Sequence, residues 1–574
     1  MTKPVPSITE IPNELTSDID LASPLGIVRQ LRQSDGQIYN GYSTFPAISD
    51  QEILDRFETC VEMAADVLRS PEPARIVLSG AGTSGRLGMF VSRAFNRILP
   101  KSKAIFRYLI AGGNLALIKA QEGAEDDPNR AVEELQSVIG EAKKVLHVGV
   151  TCGMSAPYIA GQIAWCLKQP HTKSILLGFN TIDRSRNHSV EGWDRTFRDV
   201  AVEAEQSNSC VVLTPIVGPE PITGSTRMKG GSATKLLLEV LFVEAARRAG
   251  LLDSAGTTKL SLIQQLSRYD DVRRSLYQQE RDLSELVHLG GETLRSRDEN
   301  AYGHLYYLGA ESAGILGLVD ASECPPTFGA HFGDVRGFVG GGWETLLGSG
   351  ADLSDQGEWY RIGLDEFASH LLPKTTASDL VVGLGIERMG PEVLSLLERA
   401  YSQGAKTAAI VVNAGEALPS WLNSAVKPDV GSTGPVDGLP AYAEYALKLA
   451  LNALTTGGHV LAGKVYGNRM IDLRISNNKL FYRTLGIVTT LMGVSDEIAR
   501  ESILKAIYAT DTPTEAMRTA PISEYVNRAT PREKVVPIAL LIATGQFNHA
   551  QAKEALSQNP IVRNLVGQYA RGKA

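Results

Sequence analysis

The sequence predicts an α/β protein of two domains, each a parallel sheet flanked by helices, closed by a C-terminal helical cap. Three observations carry this. From residue 51, short apolar runs of strand length alternate with helical stretches, the pattern of βαβ units. The alternation restarts near residue 304, so the chain contains a duplication of roughly 200 residues rather than a short-period repeat. After about residue 440 the text is helical to the end, broken only by TDTPTE and TAPIS. The expected divisions are an N-terminal arm at 1–50, a first domain at 51–285, a second at 286–480 and a cap at 481–574.

Taken in order, residues 1–50 are rich in Pro, Ser and Asp with weak periodicity and read as an arm or irregular lead-in. A helical pattern over 53–68 precedes the apolar run at 75–79. Further strand-like runs follow at FRYLI (106), KVLHVGV (144), SILLGF (174) and VVLTPIV (211), with helices expected over 130–141, 156–168 and 233–246. In the second half HLYYLGA (304), LVVGLGI (380) and TAAIVVN (407) are strand-like, with a helix over 391–404.

A net charge of −7 gives no reason to expect nucleic acid or an anionic membrane as a partner. MTKPVPSITEIPNEL has no apolar core of a secretory signal, and VVPIALLIATG is too short to span a bilayer. The cysteines (Cys60, Cys152, Cys166, Cys210 and Cys324) are odd in number, scattered and without a CxxC pair. Reduced thiols in the cytoplasm are the expectation, with no metal site and no cofactor. Nuclear shuttling is not readable from the chain.

LSGAGTSGRLG (78–88) follows a strand and opens a helix, so its amides and the Thr83 and Ser84 hydroxyls converge on an anion at the helix N-terminus. Gly80, Gly82 and Gly85 also fit the GxGxxG of a dinucleotide fold. That motif needs an acidic residue about 20 positions on, and KSKAIFR (101–107) has none. A monophosphate is the preferred reading over NAD, and a tight turn without ligand is the bland one. A second small-polar turn, GVTCGMSAPYIAGQ (149–162), offers Thr151, Gly153 and Ser155, with Ser155 as a helix N-cap the compatible alternative. TGSTRMKGGSATK (223–235) brings Ser225 and Arg227 as further phosphate or carboxylate contacts, or as a capped helix start. Two acidic loops, EGAEDD (122–127) and DASECPPTFG (320–329), supply carboxylates for acid–base work or sugar hydroxyls, or are solvated surface.

GAGTSGRLG, LIAGG, EGAED, TPIVG, TGSTRMKGGSATK and DASECPPTFG together resemble the single-domain N-acetylmuramic acid 6-phosphate etherases, which are sugar isomerase (SIS) proteins. The tandem arrangement, with CGMSAPYIAGQ, EGWDRTFRDV, DVRGF, GHVLAGK, DLRISNNKLF, APISEYV and VVPIALL, resembles the glucokinase regulatory protein family over nearly the whole chain. The resemblance implies two SIS domains and a sugar phosphate ligand of the hexose 6-phosphate or fructose 6-phosphate kind. It implies a glucokinase-like sugar kinase as partner. It also implies a lysine of the SN-x-K-L segment, here Lys479, on the phosphate.

In the etherases one chain carries both glutamates of the site. Here the first half keeps EGAED with Glu125 but has Ala94 at the DASEC glutamate position. The second half keeps Glu323 but has the degraded loop GAESAGILG (309–317). The expectation is one composite site using both halves, with the equivalent second site dead. As an etherase, the protein would use Glu125 and Glu323 as acid and base to release D-lactate. Against that reading, the etherase loop ASGRTPY is replaced by TCGMSAPY. Against an unchanged kinase contact, STGPVDGLPAYAEYA (432–446) lacks the bulky apolar run of the regulators. An aldose–ketose isomerase is a third class, supported by the fold alone.

Overall fold

The computed structural model describes residues 6–121, 123–190, 192–252, 260–295, 302–348, 351–475 and 478–571, without the side chains of 478–479 and 568–571. Two parallel five-stranded sheets form the frame. The first contains β1 (Ala74–Gly80), β2 (Phe106–Ile110), β3 (Lys144–Val150), β4 (Thr172–Leu177) and β5 (Cys210–Leu213), in the order β2-β1-β3-β4-β5. The second contains β6 (Leu305–Gly309), β7 (Val335–Val339), β8 (Leu380–Ile386), β9 (Lys406–Val412) and β10 (Ser424–Val426), in the order β7-β6-β8-β9-β10. The two orders are the same, which is the structural form of the duplication. Strand order reverses between β1 and β3, and again between β6 and β8. The crevices beyond the carboxyl ends of those strands are where ligands bind in such sheets.

Burial on both faces explains why the strands read as continuous apolar runs. Two long helices, Lys229–Arg248 and Ala441–Leu461, are buried over almost their whole length and lie at the centre. The second packs on helices Glu280–Arg295, Glu311–Phe328 and Leu262–Gln278, and on Lys229–Arg248 itself. One apolar cluster therefore runs through both sheet domains, from Ile19 to Val465. The C-terminal helices have their own core, around Ile503, Leu540 and Val562.

Two expectations need correcting. The lead-in at 1–50 contains a 17-residue helix, Pro24–Asn40, with Pro24 at its first position and Ser23 capping the Gly26 amide. Polar residues on its buried face weakened the apolar period: Asp35 is buried and accepts from the Tyr277 hydroxyl at 2.7 Å. DASECPPTFG is not a loop. Helix Glu311–Phe328 runs through Pro325 and Pro326 and stops at Gly329, φ 59°. Every residue from Ala313 to Cys324 is buried, and that packing carries the helix through the prolines in its last turn. No helix among the described residues is long and apolar enough to cross a membrane.

Candidate functional site

A cavity of about 350 Å³ opens at the carboxyl ends of β1 and β2, closed from the far side by the second domain. The β1 turn supplies Gly82 and Thr83. Gly82 has φ 52° and ψ −127°, a conformation that glycine alone adopts readily, and it immediately precedes helix Thr83–Ile98. At Gly80 a Cβ would lie 2.6 Å from the Gly85 amide nitrogen, so the chain turns back on itself here. The result is a helix N-terminus that opens at the cavity, the geometry that favours an anion.

Arg86, one turn into that helix, is 1% exposed. Its Nε donates to the Leu117 carbonyl at 2.8 Å, and its Nη1 forms an ion pair with Glu323. Its Nη2 is buried without a hydrogen-bond partner. Glu323 comes from helix Glu311–Phe328, so this pair joins the two domains inside the cavity. Glu125, on the one-turn 3-10 helix Ala124–Asp126, is exposed at the rim. Asp126 beside it pairs with Arg186 at 2.7 Å.

The 223–235 segment forms the roof, with Ser225 and Arg227 both lining the cavity. Ser225 Oγ lies 3.5 Å from Thr327 Oγ1. Arg227 is a strut: Nη1 donates to Asp320 at 2.9 Å, and Nη2 to Thr456 at 2.8 Å. Burial raises the Asp320 carboxyl, and Arg227 opposes that rise. The guanidinium also sits over the Phe328 ring, 5.3 Å from its centroid. The start of helix Lys229–Arg248 has no side-chain cap at Met228. Instead Glu220, in the segment that leads into the helix, accepts from the amides of Lys229 at 2.9 Å and Gly230 at 2.8 Å. Burial pushes Glu220 up and Lys229 down, each offset by the other's charge.

The remaining residues named from sequence lie elsewhere. Ser84, buried, has its Oγ 3.8 Å from Cys152 Sγ. Thr151 Oγ1 accepts from the Ser155 and Ala156 amides at 3.3 and 3.4 Å, so Thr151 caps this turn and Ser155 does not. A Cβ on Gly153 would meet the hydroxyls of Thr9 and Ser7, because the N-terminal segment covers the β3 turn. These four residues do not line the cavity. The Lys479 side chain lies outside the described residues. Sequence reasoning overlooked Arg86, Thr327 and Met470, all of which line the cavity. For Arg86 a signal existed: a lone arginine inside the first turn after a glycine loop, on a helix otherwise apolar around it.

Comparison with known proteins adds to this geometry. A family model described as the glucokinase regulatory protein N-terminal SIS domain matches residues 59–167, and the second SIS domain of that protein matches 277–426. The C-terminal lid domain of glucokinase regulatory protein matches 467–566. The Homo sapiens glucokinase regulatory protein is 34% identical over 97% of this chain and 92% of its own length. An N-acetylmuramic acid 6-phosphate etherase of Vibrio parahaemolyticus is 39% identical over 35% of this chain and 65% of its own. Among solved structures, tagatose-6-phosphate ketose/aldose isomerase from Escherichia coli aligns at 13% identity over 78% of this chain and 95% of that one, with TM-score 0.45.

Proposed function

The chain belongs to the glucokinase regulatory protein family, and from that premise we propose that it binds a hexose 6-phosphate in the cavity between its SIS domains and so regulates a glucokinase-like sugar kinase. The observation that carries the ligand is Arg86, whose side chain lines a space of about 350 Å³ and whose Nη2 is a buried donor with no partner. That volume lies at the small end of ligand sites, the size of a monosaccharide derivative. A buried guanidinium nitrogen left unpaired is costly, and an oxygen of the ligand would satisfy it.

In this reading the phosphate sits at the Gly82–Thr83 turn, held by the Thr83 hydroxyl and the first helix amides. Ser84, Thr151, Gly153 and Ser155 shape the adjoining turn, and Lys479 brings a positive charge from the cap. Glu125 and Glu323 accept sugar hydroxyls. Because Arg86 and Glu323 belong to different domains, occupancy would favour one mutual orientation of the domains, which a partner kinase could read. The test is calorimetry with fructose 6-phosphate, followed by assay of a glucokinase with and without the protein and the sugar phosphate. No binding, or binding with no effect on the kinase, would refute the corresponding half.

A second reading rests on a specific observation: Glu125 and Glu323 line the same cavity. In an etherase, one would remove the proton at C2 of the open-chain sugar, beside its aldehyde, and the other would protonate the ether oxygen as it leaves C3 with D-lactate, after which water adds across the new double bond. Release of D-lactate from N-acetylmuramic acid 6-phosphate would establish it.

A further inference from the structure

A concentration of positive charge surrounds a second cavity, away from the sugar-phosphate site. A cavity of about 630 Å³ separates the second SIS domain from the C-terminal helices. Its lining includes Arg295, Lys464, Arg474, Arg532, Lys534 and Lys553, against three carboxylates, Asp334, Asp472 and Glu533. Two of those carboxylates are engaged. Asp472 pairs with Lys464, and Asp334 accepts from the Tyr302 hydroxyl at 2.6 Å and the His331 amide at 3.0 Å. Arg474, Arg532 and Lys553 are exposed and form no ion pair among the described residues. In a chain of net charge −7, a surplus of cations gathered around one cavity is a local field for an anion. Between these charges the wall is apolar: Leu294, Leu473, Ile538, Leu556 and Pro560.

We propose that this cavity binds a nucleotide, its di- or triphosphate on the arginine and lysine side chains and its base against the apolar wall. Three features set the class. Several separated cations match a chain of phosphates better than one phosphate group, since each charge-assisted contact needs its own acceptor. The apolar wall gives a planar body something to cover, which inorganic polyphosphate lacks. The volume exceeds that of the sugar-phosphate cavity and suits a ligand of nucleotide size. The cations come from both sides of the joint, Arg295 from the second SIS domain and Arg532 and Lys553 from the cap helices. A bound nucleotide would therefore fasten the cap to that domain, with affinity depending on the cap position.

The inference does not rest on the sugar-phosphate reading, and the experiment keeps the two apart. Full-length protein, without and with fructose 6-phosphate, is titrated calorimetrically with ATP, and separately with inorganic tripolyphosphate, at 0.15 M salt. The expected result is one ATP per chain, bound at least threefold more tightly than tripolyphosphate. The Arg532→Ala/Lys553→Ala double variant should bind ATP at least tenfold more weakly while fructose 6-phosphate affinity holds. Lys553→Glu, a single exposed change, gives the same reading if the double variant does not fold. Glu323→Gln should leave ATP affinity unchanged. No ATP binding, ATP no tighter than tripolyphosphate, unchanged affinity in the cap variants, or loss of ATP binding in Glu323→Gln would each overturn the proposal.

Discussion

Arg86 holds Glu323 with one arm and leaves the other unpaired, so its two ends report on different things. Removing the whole side chain would strand a buried carboxylate, at a cost of about 3–5 kcal/mol. Arg86→Lys keeps a charge for Glu323 and loses the second arm. It should fold, and its affinity for fructose 6-phosphate should drop by about 2 kcal/mol, roughly thirtyfold, in calorimetry. A second residue ties stability to pH. His147 on β3 is fully buried, its Nε2 3.0 Å from Gln162 Oε1, and burial holds its pKa down at about 4 against an ordinary 6.5. In the unfolded chain this imidazole takes up a proton as pH falls below 6.5, while the folded form stays neutral until about 4. Its contribution is therefore intact above 6.5 and lost across that window, roughly 3 kcal/mol in all. His147→Asn should flatten the fall in the urea midpoint between pH 6.5 and 4.5, whatever constant offset it introduces. An unchanged slope would show that other groups drive acid unfolding.

The β1 turn shows how much an element can announce and how much it conceals. Gly82→Ala places a Cβ in open space but at φ 52°, so the cost is backbone strain, about 1–2 kcal/mol. A lower melting temperature together with weaker sugar-phosphate binding is expected, and unaltered binding would mean that the turn tolerates the change. This turn was legible because glycines and hydroxyls follow a strand and open a helix. β8 was legible over its full length because burial leaves an unbroken apolar run, and β2 and β3 because the apolar residues around Arg107 and His147 still outnumber the polar ones. β7, carrying Arg336 and Gly337, and β10, three residues long, left too little pattern to register. Helix Pro24–Asn40 was hidden by polar residues whose burial is satisfied from Tyr277, far along the chain. At the site the same division holds. Gly82, Thr83, Glu125, Ser225, Arg227 and Glu323 were picked from local motifs and resemblance, and the fold gathers them around one cavity. Arg86 was not, because what buries it is a helix 237 residues away in sequence.

At the scale of the molecule the two halves share one topology but differ at the crevice. Where the first sheet has Gly82 at the turn, the second has Glu311, also at positive φ (50°). Its carboxylate lies 2.8 Å from Arg97 Nη1, at the place where the first domain offers its amides to an anion. A carboxylate fixed there repels a phosphate, and Ala94, at the wall of this second cavity, contributes no counterpart of Glu323. The joint between the halves depends on Arg227. Arg227→Ala would leave Asp320 buried without its cation, at about 3–5 kcal/mol, and thermal unfolding should split or shift down by several degrees. An unshifted transition would show that the apolar cluster and the remaining cross-domain pairs, such as Arg86–Glu323, hold the domains without Arg227. With the joint intact, the asymmetry predicts one fructose 6-phosphate per chain. Glu323→Gln should weaken that binding, because it removes the charge that orients Arg86, although Glu323 is remote in sequence from the β1 turn. Glu311→Gln, which removes the repelling charge of the second crevice, should leave the first site's affinity as it was. A stoichiometry of two in the unaltered protein would contradict the asymmetry. Full affinity in Glu323→Gln would instead mean that the ligand is held by the first domain alone, and that the second contributes only the wall.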